Sequence, residues 1–388
     1  MKNPFKPTAG KMPPVLIGRD YAIEEFTDGI NDGAGSPGRL IRISGNRGTG
    51  KTVLLTELGK IAAQQNWFVI DETAGEGLAE RLLEALVGKE KSKRKITDIT
   101  LPTVNIDPIG IDFGKVSLSP KLLPTTLRDA LSKRIADVNR KHHDAGVFLT
   151  IDEVQAASTT ELRAIATAVQ HLIREEKNIA VAFAGLPSST SRLLHDEVIT
   201  FLRRAIPLEL GAIDLLEVRE AFAEVIAANG RTITDAALDL LTAATLGYPF
   251  LIQLVGYHVW RRATDDAPID VNTAKSGIAA AQIRLGQTVH APAFDDLSDV
   301  DKTFLLAMSQ DDGPSSMADI AKRMRKDTQY TGMYRARLID AGVIAQVAYG
   351  KVDFAIPYLR AWLREHEASL YLNISQNSED KFSAEQEQ

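Results

Sequence analysis

Residues 40–52 read L-I-R-I-S-G-N-R-G-T-G-K-T. Leu40 to Ile43 predicts a buried strand, and Val53 to Gln64 predicts a helix. Between them Gly45, Asn46, Arg47, Gly48, Thr49, Gly50, Lys51 and Thr52 fit the spacing G-x-x-x-x-G-K-[ST]. Glycines at 45, 48 and 50 let the backbone turn its N–H groups inward around phosphate oxygens, and a helix opening at Val53 adds the positive end of its dipole. Lys51 supplies a mobile charge for β- and γ-phosphates, and the Thr52 hydroxyl is of the type that ligates Mg²⁺. ATP or ADP with Mg²⁺ is the ligand this stretch calls for.

Past this loop, strand and helix signals alternate, which argues a parallel sheet with helices on both faces. Trp67 to Ile70 predicts a strand, Gly77 to Leu86 a helix, Thr125 to Lys141 a further helix and Ile179 to Ala184 a fourth buried strand. Val147-Phe148-Leu149-Thr150-Ile151-Asp152-Glu153 is an apolar run closing on two acids, as a central strand reads when its carboxyl end enters a nucleotide site. In that role Asp152 holds Mg²⁺ and Glu153 polarises the attacking water. A helix from Leu193 to Leu202 ends in Arg203 and Arg204, ahead of a short strand at Ile206 to Leu208.

Around this core the segments differ. Residues 1–14 form a Pro-punctuated extended arm, and 15–211 the core. Within it 88–120 interrupts the rhythm with Lys89, Lys91, Lys93, Arg94 and Lys95 and short alternating stretches, which predict an inserted β-hairpin under a basic loop. That loop is either a contact for nucleic acid or a partner, or a solvated loop. Four helical periodicities fill 212–290. Residues 295–365 read as helix, helix-turn-helix and hairpin, the pattern of a winged helix. A polar tail, 366–388, lacks the apolar content to fold alone.

With 388 residues the chain has room for two or three domains. Its net charge of −6 offers no global attraction to nucleic acid, so binding of that kind needs a local patch. One exists: from Met317 to Asp340 six basic residues face three acidic ones, a local excess of +3. On its second helix Gln329, Tyr330, Tyr334, Arg335 and Arg337 are types that reach phosphates and base edges. Cys is absent, which excludes disulfides, thiol catalysis and Cys-based zinc sites. The seven histidines lack metal-ligand spacing, and no nucleophile elbow is present. No run of 18 apolar residues appears and the N-terminus lacks the apolar core of a signal peptide, so the expected location is cytoplasmic, with no membrane partner.

Val15-Leu16-Ile17-Gly18-Arg19, the Gly45 to Thr52 loop, Leu149 to Glu153 and Gly247-Tyr248-Pro249-Phe250 together resemble AAA+ ATPases of the origin-recognition type. They look closer still to the ATP-binding proteins near the STAND switch ATPases, a likeness spanning about residues 12–365. The resemblance implies an α/β P-loop NTPase with an AAA+-like parallel sheet, an all-helical lid and a winged helix. It further implies that Leu16, Ile17 and Arg19 form the adenine side, that the lid closes through Tyr248 and Pro249, and that Arg203 or Arg204 is an arginine finger offered to a neighbouring copy. A basic helix terminus favoured by the dipole reads equally well for those arginines. Two departures stand out. Gly185 ends the fourth strand where many relatives carry a polar side chain, with Ser188 or Ser189 as substitutes within reach, and Gly-Tyr-Pro-Phe replaces a lid arginine. Both favour slow hydrolysis.

Three function classes stay open at this level. They are an ATP-controlled DNA-binding protein acting through the winged helix on double-stranded DNA, a signalling or defence switch that meets a protein trigger and oligomerises, and an ATPase or chaperone acting on protein.

Overall fold

The computed structural model describes residues 1–8, 10–88, 126–188, 190, 203–368 and 370. The hairpin expected within 88–120, the helix at Leu193 to Leu202 and the end of the tail lie outside them.

The core is a five-stranded parallel sheet in the order β2-β3-β4-β1-β5, with β1 Leu40–Gly45, β2 Phe68–Thr73, β3 Val147–Asp152, β4 Ile179–Gly185 and β5 Ile206–Leu210. β3 and β4 are buried along their whole length, as strands covered on both faces must be. Their alternate residues serve opposite layers. Val147, Leu149, Ile151, Val181 and Phe183 join one core with helices α3 (Leu78–Val87), α4 (Leu127–Lys141) and α5 (Thr159–Arg174). Phe148 and the alanines at 180, 182 and 184 face the other, beneath α1 (Asp20–Asn31) and α2 (Lys51–Gln64). Small residues on that face let α2 approach the sheet closely. Because β4 lies between β3 and β1, the carboxyl ends of all three converge on one edge.

After β5 come four helices, α6 (Leu215–Ala228), α7 (Asp235–Thr245), α8 (Pro249–Arg262) and α9 (Val271–Leu285), around an apolar core of their own. Asp214, Thr234 and Asp270 cap α6, α7 and α9 through side-chain oxygens, so each helix starts where its sequence places an N-cap. α9 does not stop at a linker: it runs on through a π-helical turn, Gly286–His290, into α10 (Ala291–Asp295).

The last unit holds α11 (Asp299–Ser309), α12 (Met317–Met324), α13 (Thr328–Asp340) and a three-stranded antiparallel sheet of β6 (Ser315–Ser316), β8 (Lys351–Phe354) and β7 (Ile344–Ala348). It is tied to the four-helix unit by Tyr358, whose hydroxyl donates to the Ala244 carbonyl at 2.9 Å, and by the His290 ring at 2.8 Å from the Pro357 carbonyl. Leu186, just past β4, reaches it too: a Cβ added at Gly342 would lie 3.2 Å from Leu186 Cδ2.

The first 14 residues do not dangle. Phe5 is buried in the four-helix core, its ring 5.7 Å from that of Phe222, and Gly256 on α8 leaves the space the ring fills. Asn3 Nδ2 donates to the Tyr257 carbonyl at 2.9 Å, and the Lys6 N–H donates to Gln253 at 3.1 Å.

Candidate functional site

At the end of β1 the chain turns through Gly48 (φ +78°) and Gly50 (φ +93°) into α2. Gly50 is the N-cap, and no side chain caps the helix, so the first N–H groups of α2 remain available to an anion. Gly45 has no room for a side chain, since a Cβ would sit 2.5 Å from Thr49 Oγ1. Lys51 is buried and donates to the carbonyls of Gly45 (2.9 Å) and Asn46 (3.1 Å). Burial draws its ammonium below the ordinary lysine value, against the pull of the Glu153 and Asp152 carboxylates.

Across β4, at the end of β3, Asp152 Oδ2 accepts the Thr52 hydroxyl at 2.5 Å and Asp152 Oδ1 accepts the Glu153 N–H at 2.8 Å. A hydroxyl and a carboxylate side by side are the hard oxygen donors that suit Mg²⁺, which takes its remaining ligands from phosphate and water. Among the described residues no cluster of three or more His, Asp or Glu could hold a metal unaided. Glu153 is in the left-handed region (φ +52°), a conformation that costs a non-glycine residue about 1 kcal/mol or more and gathers at functional sites.

A cavity of 390 Å³ joins these parts, a volume usual for small-molecule sites, which run roughly 300–1,000 Å³. Its lining includes Arg47 to Val53 and Glu153, and with them Leu16, Ile17, Pro249 and Phe250. Arg19 is a brace as well as a lining residue. Its guanidinium donates to the carbonyls of Gly18 (2.8 Å), Thr49 (3.1 Å) and Gly211 (3.3 Å), binding the segment before α1 to the phosphate loop and to the end of β5. Tyr248 covers the loop: a Cβ on Gly48 would lie 2.6 Å from its hydroxyl, and the Phe250 N–H donates to the Gly48 carbonyl at 3.3 Å. Burial pushes the Tyr248 phenol up to about 12, so it stays a neutral donor.

Two contributors escaped sequence reasoning. Residues of the N-terminal arm, among them Lys6, Thr8, Gly10 and Lys11, form a wall of the cavity, and a Cβ on Gly10 would lie 3.6 Å from Thr52 Cγ2. The lone aromatic Phe5 in a polar arm was the available signal. Gln155 is the other: its amide donates to the Glu153 carboxylate. Ser188, a substitute weighed for the missing polar group after β4, has its Oγ buried without a hydrogen-bond partner among the described residues, and Ser189 lies outside them.

The remaining expected residues lie elsewhere. Arg203 and Arg204 form an exposed turn before β5 and do not line the cavity. On α13 Gln329 is exposed, while the rings of Tyr330 and Tyr334 pack 5.0 Å apart. Arg337 is committed to an ion pair of 2.9 Å with the buried Asp301, and Arg335 Nε is itself buried.

Residues 15–182 match the family of the AAA ATPase domain, and residues 287–363 match a domain of unknown function, DUF8462. No curated protein sequence matches the chain. Among solved structures, the Walker-type ATPase of Pyrococcus abyssi aligns over 90% of this chain and 96% of its own, with a TM-score of 0.62 and 13% identity. The Aeropyrum pernix ORC2 protein, solved as ADPNP–ADP complexes, aligns over 96% and 98%, with a TM-score of 0.59 and 13% identity. At that identity the likeness speaks to the fold, a parallel P-loop sheet followed by a helical lid. The domain match spans Lys51, Thr52, Asp152 and Glu153, so residues 15–182 carry an ATPase domain of the AAA kind.

Proposed function

We propose that the chain is a slowly hydrolysing Mg·ATP switch whose nucleotide state is read by the lid and passed to a C-terminal winged helix that binds double-stranded DNA. The observation that carries the switch is the seating of the lid on the phosphate loop, through Tyr248 and the Phe250 N–H against Gly48. A ligand in the loop biases the lid by whatever difference it makes to these contacts between a seated and a displaced lid. The contact of Leu186 with the C-terminal unit at Gly342 supports a second route from the site to that unit.

In this reading the loop N–H groups and Lys51 hold the β- and γ-phosphates, and Thr52 with Asp152 holds Mg²⁺. The ion, when bound, neutralises charge on the phosphate oxygens. Glu153 takes a proton from water as the water oxygen bonds to the γ-phosphorus. The bond from that phosphorus to the β–γ bridging oxygen breaks, and ADP leaves with its electron pair. The absence of a side chain at Gly185 supports a slow step.

The test uses Glu153→Gln, which keeps Mg·ATP and loses turnover, in a fluorescence anisotropy titration against a mixed-sequence duplex at two salt concentrations. Binding tighter with ATP than with ADP, and weaker in salt, is the expected result. Absence of binding in both states overturns the DNA reading and favours the alternative, a switch that meets a protein trigger or assembles with its own copies. The commitment of Arg337 to Asp301 favours that second reading.

A further inference from the structure

β4 is the strand between the two halves of the site, and it ends in a glycine. The glycine is obligatory here for a local reason. A Cβ on Gly185 would lie 2.6 Å from Cγ2 of Val154, a fully buried side chain, and 3.0 Å from the amide oxygen of Gln155. The space a polar side chain from β4 would use is thus taken by Gln155, arriving from the turn after β3. Its amide spans the gap in both directions. Nε2 donates to the Glu153 carboxylate, and Oε1 accepts the Leu186 N–H at 3.4 Å.

The turn itself does not depend on this side chain. Backbone bonds from Ala156 N to Glu153 O (2.8 Å) and from Ala157 N to Val154 O (3.3 Å) close it, and Val154 anchors it in the core. Glu153 has its main chain fixed by the Asp152 carboxylate, but its carboxylate ends a side chain with three rotatable bonds. Gln155 is the group that restrains that end, and it is exposed enough to be replaced without opening a cavity.

We infer that Gln155 is the positioning residue of this ATPase, holding the Glu153 carboxylate against the end of β4 in the place of the polar side chain that Gly185 lacks. The inference rests on the reading of Glu153 as general base. An amide that both donates to the carboxylate and accepts from the strand end fixes the direction of the carboxylate relative to the sheet, and with it the line along which water is presented to the γ-phosphate.

Steady-state ATPase kinetics and Mg·ATP binding of the full chain test it with three variants. Gln155→Leu lowers kcat by about tenfold or more, as loss of alignment does, and leaves KM and Kd for ATP within about twofold. Gln155→Glu keeps the acceptor for Leu186 N–H but cannot donate to Glu153, so it falls as far as Gln155→Leu. If Gln155→Glu turns over like wild type, the side chain serves only the strand end and the inference is overturned. A wild-type kcat in Gln155→Leu beside a dead Glu153→Gln overturns it as well, while leaving the general base in place. Wild-type turnover in Glu153→Gln instead overturns the reading beneath it. An unchanged thermal midpoint for the Gln155 variants separates positioning from folding.

Discussion

Lys51 shows how one side chain is prepared for its ligand. Buried, and bonded to the Gly45 and Asn46 carbonyls, it is held within the loop it serves, and a phosphate would meet a charge already stripped of most of its water. Replacing it by Ala removes that charge, and the Kd for Mg·ATP should weaken by about 100-fold, the size of a lost charge-assisted hydrogen bond. Isothermal titration measures this, and a thermal midpoint measured beside it separates loss of the phosphate charge from loss of the ammonium's two bonds to the loop carbonyls. Lys51, Thr52, Asp152 and Glu153 were legible in the sequence because each is fixed by local spacing and by a strand next to it. Gln155 was not, since its partners include the end of a strand 31 residues away and its role follows from Gly185 being small. Arg19 was expected on the adenine side from the resemblance, and it lines the cavity. Its use as a brace on three carbonyls needed the tertiary structure.

At the scale of elements, the four helical periodicities over 212–290 correspond to the four helices α6 to α9, because caps and apolar stripes agree. Charge was harder to read. The basic excess on α12 and α13 looked like one surface, but Arg323 pairs with Asp311 and Arg337 with Asp301. Arg337→Ala leaves the buried Asp301 without its cation and should lower the stability of the C-terminal unit by about 1–2 kcal/mol, measured by urea unfolding. A fall in duplex affinity in that variant would therefore need Arg325→Ala, at an exposed position, beside it as the clean test. The Arg323 guanidinium holds the Asp311 carboxyl down at about 2 from its usual 3.8. Because the folded value is the lower one, the pair stabilises the fold above about pH 4 and loses that contribution as pH falls toward 2. With solvent screening it is worth about 1 kcal/mol, so Asp311→Asn should be less stable than wild type at pH 6 and match it near pH 2, by denaturant midpoint.

Taken whole, the molecule wraps the candidate site with stretches distant in sequence: the arm with the segment before α1, the phosphate loop, Glu153 and the lid. Phe5→Ala should cost about 3 kcal/mol of lid stability, as truncation of a buried aromatic does, and should speed release of a fluorescent ADP analogue in stopped flow because the arm is then unpinned from that wall. Both readouts unchanged would mean the arm is a passenger. The arm was read from its prolines as extended, and its path over the lid follows from a single aromatic finding the gap at Gly256.

The helix that leaves the lid acts on a different length scale. From Val271 through the π turn to Asp295 it is 25 residues of unbroken helical backbone, the 15, 5 and 5 of its three segments. Its first 15 residues pack in the lid core, so the 10 that follow extend about 15 Å beyond it, and each degree of lid tilt displaces their far end by about 0.3 Å. In the proposed switch, a lid rocking by about ten degrees on its phosphate loop would carry the end of that helix by about 3 Å, and the Tyr358 bond to Ala244 would make the C-terminal unit follow.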